Sequence, residues 1–176
     1  MNERVTQILL KFRDYACART NFLVDVGRAY SCRDPLAEFS EELVERLLDA
    51  NPAESRVQKG YDLVRASGRK VQVKYLANPS ERWINEHRIV FDGGADDYAL
   101  VLFESLRLEC ILVFRRESIR EVCRLLNKRH PLQDSTLQFT HRNYVTIMER
   151  RAECENLGVE IYQFTNVRES SAAEAG

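Results

Sequence analysis

The sequence predicts an α/β fold, in which a mixed central β-sheet is flanked by α-helices. Two nearly continuous apolar runs, "YALVLF" at residues 98–103 and "LECILVF" at residues 108–114, are typical of strands that are buried on both faces. Segments with apolar residues at helical spacing lie before and after these strands. The 176 residues, of which 44% are hydrophobic and 30% charged, can bury a core without a disulfide or a structural metal.

The helices are predicted from apolar spacing and from their end signals. Residues 5–30 carry apolar side chains at helical intervals and should form one or two helices, within an N-terminal helical extension over residues 1–33. Asp34 before Pro35 is an N-cap followed by proline at the first helical position, so a second helix should run to about Leu48. Further helices are predicted at residues 117–128 and 143–157.

Strands are predicted where β-branched and aromatic residues cluster between turn signals. They are expected at residues 61–65, 70–76, 98–103 and 108–114, with shorter strands at residues 88–91 and just after the last helix. No repeat or linker interrupts this pattern, so residues 1–168 are predicted to form one domain. The small, polar residues 169–176 are predicted to be a disordered tail.

Cysteine usage and hydropathy bear on the cellular compartment. Five cysteines, an odd number without a CxxC pair, predict free thiols in a reducing environment and argue against a zinc site. The first 20 residues contain too short an apolar run and too many charges for a signal peptide or a membrane span. We therefore expect a cytoplasmic protein without a membrane partner.

The segment "GYDLVRASGRKVQVKY" predicts a β-hairpin that brings polar side chains together. Gln72 and Lys74 share one face of its second strand, because side chains alternate between faces. A two-residue turn would place Asp62 opposite Val73, on the other face, whereas a three-residue turn closed by Gly68 places it opposite Gln72. Glycine is the residue that the left-handed last position of such a turn requires. The spacing therefore favours convergence of Asp62, Gln72 and Lys74 on one face.

The phase of the preceding helix singles out one of its glutamates. Relative to the apolar face, Glu41 lies on the margin that can reach over the hairpin, Glu45 points to solvent, and Glu42 lies outside the margin on the other side. A rotation of the helix by one residue would promote Glu45 instead of Glu41. Glu41 is therefore the carboxylate that we expect beside the hairpin.

These residue types suit the chemistry of a divalent metal. Carboxylate and carbonyl oxygens are hard donors for Mg²⁺, which keeps several waters and binds one or two carboxylates together with a substrate phosphate. Asp62, Glu41 and Gln72 supply such oxygens, and the carbonyl of Val73 could supply another. A bound metal acidifies a water molecule, and Lys74 could orient that water or, as a neutral amine, remove its proton.

From about residue 38 to residue 117, the chain resembles the PD-(D/E)xK nuclease superfamily. The matching features are a helix with Glu41, a strand with Asp62 and a strand with "QVK" at residues 72–74, followed by apolar strands and a helix. The order Asp then QxK is most similar to restriction-endonuclease-like members such as Mrr-like enzymes. Two positions depart from the pattern: Tyr61 replaces the proline, and glutamine replaces the usual second acid, so Glu41 is expected to supply the missing charge.

This resemblance implies a restriction-endonuclease-like core and Mg²⁺-dependent hydrolysis of DNA phosphodiester bonds, with Mn²⁺ as a substitute metal. It implies Asp62, Glu41, Gln72 and Lys74 as catalytic residues, and double-stranded DNA and a second copy of the chain as partners. A restriction enzyme of host defence is the biological role that we expect. The alternatives are an inactive nucleic-acid-binding or protein-interaction module with the same fold and, as a third, an inhibitor of nucleic-acid enzymes that binds a protein partner.

An uneven charge distribution indicates where nucleic acid could bind. Seven Lys or Arg lie between residues 59 and 88, next to the acidic second helix. The candidate contacts are basic, aromatic or amide side chains in the hairpin, in the following loop and in "FTHRNY": Lys59, Arg69, Lys70, Arg82, Trp83, Asn85, His87, Arg88, His141, Arg142 and Asn143. Two alternatives stay open, because Trp83 could instead close the core and "FTHRNY" could begin a helix capped by Thr140.

Overall fold

The computed structural model describes residues 3–28, 31, 33–54, 60–79, 83–91, 93–128 and 136–164. Its strands are β1 (Ala50–Pro52), β2 (Leu63–Arg65), β3 (Lys70–Asn78), β4 (His87–Val90), β5 (Asp97–Glu104), β6 (Arg107–Arg115), β7 (Thr136–Phe139) and β8 (Glu160–Gln163). Its helices are α1 (Glu3–Asp25), α2 (Pro35–Leu47), α3 (Ile119–Leu125), α4 (His141–Glu149) and α5 (Arg151–Asn156), with one 3₁₀ turn, Arg116–Ser118, before α3. The tail predicted to be disordered, residues 169–176, lies outside the described residues.

The described strands form a six-stranded sheet and a two-stranded ribbon. In the larger sheet the order is β1-β2-β3-β5-β6-β8, with β3 and β5 parallel and the other neighbours antiparallel. The ribbon pairs β4 with β7, also antiparallel. Residues 97–103 of β5 are buried, as the continuous apolar run predicts, because β5 is a central strand and both faces of the sheet are covered.

Helices cover both faces of the larger sheet. On one face Val44 of α2 clusters with Val71 of β3 and Val101 of β5. On the other face Leu100 of β5 and Phe114 of β6 cluster with apolar residues of the ribbon, α3, α4 and α5. The predicted α/β class, a mixed central sheet flanked by helices, is therefore confirmed.

The β2–β3 hairpin has the three-residue turn that the spacing favours. Leu63 pairs with Val71, and the amide of Arg65 donates to the carbonyl of Arg69 over 2.9 Å. This register leaves residues 66–68 as the loop, and Gly68 closes it with a left-handed φ of 82°. The prediction of a three-residue turn is therefore confirmed, and Asp62 lies on the Gln72 side of the hairpin.

Two short strands were missed, and one helix was predicted with the wrong bounds. The short strands β1 and β7 were not predicted, because three- and four-residue strands are specified by the strand they pair with more than by their own pattern. The helix predicted at residues 143–157 begins earlier and is broken at Arg150, whose φ of −111° and ψ of 37° leave the helical region.

Helix α1 is a single helix whose C-terminal end packs across α2. The rings of Phe22 and Phe39 lie 5.9 Å apart, and Arg19 binds Glu38 at 2.6 Å. Arg28, just beyond α1, binds Glu42 at 2.5 Å and buries it to 7% exposure. The prediction that Glu42 lies away from a packed surface was therefore wrong, because this side of α2 is covered by ion pairs rather than by apolar contacts.

Among the described residues, no helix has the length and apolar character of a membrane span.

Two glycines that shape the hairpin should differ in their tolerance of alanine. A Cβ on Gly68 meets nothing within 4 Å, whereas a Cβ on Gly60 would lie 1.7 Å from the carbonyl oxygen of Gly93. We expect Gly68→Ala to lower the free energy of unfolding by about 1–2 kcal/mol, the strain of a left-handed residue. Gly60→Ala should lower it by roughly 4 kcal/mol or more, because the Gly93 backbone must also move. Urea denaturation followed by circular dichroism measures both losses, and equal losses would contradict the close approach of Gly60 and Gly93.

Candidate active site

Asp62 lies where β2 separates from β3. Its amide donates to the carbonyl of Val71 over 2.9 Å, and β2 pairs with β3 only from Leu63 onwards. Two residues further along β3, the amide of Val73 donates to the Asp62 carboxylate oxygen Oδ2 over 2.8 Å. The side chain of Asp62 thus takes the place of a backbone acceptor, and this bond fixes its carboxylate at the edge of β3.

Gln72 brings a second polar side chain to the same point. Its side-chain nitrogen Nε2 donates to Oδ2 of Asp62 and lies 3.4 Å from the carbonyl oxygen of Val73. That carbonyl points to the same edge of β3 as the Val73 amide, because the N–H and C=O of a strand residue share a direction. Two oxygens therefore converge on one hydrogen-bond donor, the arrangement that a cation would also favour. Rotation of the amide by 180° would bring its own oxygen, Oε1, to the same point.

Lys74 follows on the same face of β3 and is exposed. Among the described residues, no hydrogen bond or ion pair engages its ammonium. The charge of Lys74 acts to lower the pKa of Asp62, although other causes raise that pKa overall. Burial and, to a smaller extent, the charge of Lys74 lower the pKa of His87. His87 Nε2 in turn lies 2.6 Å from the hydroxyl of Tyr98. Lys74 is therefore a cation that stands close to Asp62 without being neutralised by a described partner.

Glu41 belongs to α2, which packs on one face of the sheet, and it lines a cleft together with Asp62. Its carboxylate is held by both terminal nitrogens of Arg33, with Nη1 at 2.7 Å from Oε2. Burial is the larger cause of the raised pKa of Asp62, and the negative charge of Glu41 adds to it. The site therefore has two carboxylates, Asp62 of the hairpin and Glu41 of α2, with the guanidinium of Arg33 bound to Glu41.

The pKa of Asp62 is raised above its ordinary value. Burial is the largest cause, and it is opposed by the hydrogen bond from the Val73 amide. Glu41 raises the pKa further, while Lys74 and Arg33 lower it. The ionised form of Asp62 is consequently held at a cost in folding free energy, which a bound cation would reduce.

A cleft of about 50 Å³ opens beside these residues. It lies between the C-terminal end of α1, α2 and the strands β1 and β2. The polar residues that line it include Arg28, Arg33, Glu41, Tyr61 and Asp62. The carboxylates of Asp62 and Glu41 are therefore reachable from solvent on the α2 side.

The donor set of the site is small. Among the described residues, no group of three or more His, Cys, Asp or Glu side chains could hold a metal ion. The oxygens available are two carboxylates, from Asp62 and Glu41, the carbonyl of Val73 and the side-chain carbonyl of Gln72. This set fits a hard cation that keeps part of its water shell, and it does not fit a metal that needs nitrogen or sulfur ligands.

Four of the predicted nucleic-acid contacts are used within the fold. Arg69 binds the fully buried Asp97 at 2.6 Å, and Asn143 is buried in the capping box that begins α4. Trp83 stacks on Tyr144 with ring centroids 5.2 Å apart. Asn85, although exposed, donates its side-chain amide to the carbonyl of Ala77. The two alternatives left open for Trp83 and "FTHRNY", a core contact and a helix cap, are therefore what the structure shows.

The other predicted contacts are more accessible. Lys70 lies over the ring of Tyr61, 4.8 Å from its centroid, and His87 is half-buried against Tyr98. Arg88, His141 and Arg142 are exposed, and the charged groups of Arg88 and Arg142 have no described partner. Lys59 and Arg82 lie outside the described residues.

Sequence reasoning missed Arg33 and Tyr98. Arg33 immediately precedes the Asp34 cap, and no periodicity marks it as a partner of Glu41. Tyr98 was placed in a buried strand, and its register opposite Gln72 on the parallel neighbour β5 could be known only from the sheet order.

Comparison of the chain with protein-family models and with curated proteins gives no match in either case. The function is therefore inferred from the geometry and chemistry of the residues around Asp62.

The raised pKa of Asp62 predicts how stability depends on pH. Because this pKa is higher in the folded chain than in the unfolded chain, ionisation of Asp62 destabilises the fold at any pH above it. Without divalent metal, Asp62→Asn should therefore raise the melting temperature at pH 7 by a few degrees, and this gain should shrink as the pH falls through the raised pKa.

Thermal unfolding between pH 3 and pH 8 measures this difference. Asp14→Asn is the matched control, because Asp14 is exposed on α1 and its removal should change little at any pH. A gain for Asp62→Asn that grows on acidification would contradict the predicted sign.

Proposed function

We propose that the chain is a Mg²⁺-dependent endonuclease that hydrolyses DNA phosphodiester bonds, with a restriction-endonuclease-like core and a role in restriction or host defence. One observation carries this proposal: the carboxylate of Asp62 and the carbonyl of Val73 converge on the amide nitrogen of Gln72, with the ammonium of Lys74 next on the same face. The order of these residues along two adjacent strands is the order that the resemblance to PD-(D/E)xK nucleases implies.

The oxygens of this site suit Mg²⁺, and Mn²⁺ has the same preference for oxygen ligands. Asp62, the Val73 carbonyl and the turned-over amide of Gln72 would hold the ion, with Glu41 as the second carboxylate. When bound, such an ion acidifies a coordinated water and neutralises negative charge on the scissile phosphate. Gln72 contributes no charge, so the negative charge that favours binding comes from Asp62 and Glu41.

Lys74 has the position of a group that acts on water. Its ammonium is exposed and close to Asp62, and no described acid neutralises it. As an ammonium it can hydrogen-bond the attacking water or stabilise negative charge on the phosphate, and as a neutral amine it could take the proton of that water. Lys70 and the exposed cations Arg88 and Arg142 are the candidate contacts to DNA phosphates.

A nicking assay with supercoiled plasmid DNA tests the activity. We expect cleavage in Mg²⁺ or Mn²⁺ and none in chelator, with losses of about 100-fold or more for Asp62→Asn and for Lys74→Met. Arg107→Met is the matched control for Lys74→Met, because it also removes an exposed cation, here at the distant β5–β6 turn. Equal cleavage by the wild type and both site variants would show a contaminating nuclease. DNA binding without cleavage under any metal would favour the inactive module instead.

The ion pair between Arg33 and Glu41 predicts a competition with the metal. If Glu41 is a ligand, a metal must displace the Arg33 guanidinium. Removal of this guanidinium by mutation should therefore tighten metal binding by about fivefold, the equivalent of roughly 1 kcal/mol. Arg33→Gln should therefore bind Mn²⁺ more tightly than the wild type, as measured by the electron paramagnetic resonance signal of free Mn²⁺. Arg46→Gln is the control, because it removes the same charge from a partner of Glu42 on the same helix. Equal affinities of the two variants would exclude Glu41 as a ligand.

A further inference from the structure

The N-terminal part of α1 presents an apolar stripe to solvent. Leu23 is the one buried residue of this 23-residue helix. The residues of the stripe recur at intervals of three and four and are largely exposed: Val5, Ile8, Leu9, Phe12 and Tyr15. Ile8 is 68% and Phe12 64% exposed, so the stripe is not covered by the described part of the chain. An amphipathic helix gains most of its stability from packing this face, which indicates that something else covers it.

The same stripe continues into the part of α1 that is packed. Phe22 and Leu23 lie seven residues after Tyr15 and Ala16, and therefore on the same side of the helix. Phe22 contacts Phe39 of α2, and Leu23 is buried. The apolar stripe is thus covered by α2 at the C-terminal end of α1 and left open along the N-terminal half of α1.

We propose that this open half binds the same surface of a second copy of the chain, as an antiparallel helix pair. Five side chains with on the order of 100 Å² exposed each would, from two copies, remove roughly 1,000 Å² from water, which is near the lower limit of specific interfaces. This surface exists whether or not the chain is a nuclease, so the proposal does not depend on the proposed function.

The spacing of the stripe is self-complementary in the antiparallel direction. A two-fold axis near residue 10 pairs Ile8 with Phe12 and Val5 with Tyr15, so that each smaller side chain meets a larger one. A parallel pair would instead place Phe12 on Phe12 and Tyr15 on Tyr15. A parallel pair would also bring the rest of both chains to the same end of the helix pair, where α2 already covers the stripe. The antiparallel arrangement places the bodies at opposite ends of a contact about 15 Å long.

Sedimentation velocity of the full chain over a range of concentrations tests the proposal. We expect a monomer–dimer equilibrium for the wild type and a monomer for Phe12→Glu, with at least a tenfold rise in the dissociation constant. Leu10→Glu is the matched control, because Leu10 is also exposed but lies on the opposite side of the same helix. It should dimerise as the wild type does. Circular dichroism of each variant establishes that it is folded.

A wild type that stays monomeric at all concentrations would overturn the proposal, even if it binds lipid vesicles or another protein. If Phe12→Glu and Leu10→Glu weakened dimerisation equally, the assignment of the interface to the stripe would be overturned. Because neither measurement uses DNA or metal, failure of the dimer and failure of the nuclease proposal are distinguishable.

Discussion

The hydrogen bond from the Val73 amide to the Asp62 carboxylate is the interaction on which the site depends. Where β2 leaves β3, the Val73 amide would lose its backbone acceptor, and an unsatisfied buried amide costs about 1–3 kcal/mol. Asp62 supplies the acceptor and is thereby fixed in one position. The same separation of strands leaves the Val73 carbonyl facing the gap, where the Gln72 amide reaches it. A structural need of the sheet thus brings the Asp62 carboxylate and the Val73 carbonyl together, with the side-chain amide of Gln72 between them.

The position of this gap explains how residues from both faces of the sheet can act together. Side chains on opposite faces of a continuous sheet are separated by its backbone, but at the gap Asp62 lines the cleft on the α2 side and also binds Gln72 of the other face. Glu41 belongs to the α2 face of the sheet. Gln72 and Lys74 project from the other face, which is the face where Leu76 of the same strand packs beneath the ribbon. The close backbone approach of Gly60 and Gly93 directs the chain toward this gap just before Asp62.

Properties set by local geometry could be predicted from the sequence, and those set by long-range ion pairs could not. Gly68 fixes the turn, the turn fixes the register, and the register places Asp62 beside Gln72, so this part of the site follows from spacing alone. Helix phase predicted Glu41 beside the hairpin, and Glu41 lines the same cleft as Asp62, but it also predicted that Glu45 points to solvent, whereas Glu45 binds Arg28. The burial of Glu42 follows from Arg28, which lies 14 residues away along the chain, and no periodicity encodes such a pair. For the same reason Arg69 was assigned to DNA when its partner is the buried Asp97.

The segment between α1 and α2 links the two surfaces that we propose. Arg28 and Arg33 both belong to it, and both bind glutamates of α2. Arg28 helps to fix the end of α1 against α2, and so the direction in which the apolar stripe projects. Arg33 determines whether the Glu41 carboxylate is available to a cation. Because Arg28 and Arg33 belong to one short segment, a metal that bound Glu41 in place of Arg33, as we propose, would act on the segment that orients α1. Thermodynamic linkage then requires that any effect of metal on self-association be matched by an equal effect of self-association on metal affinity.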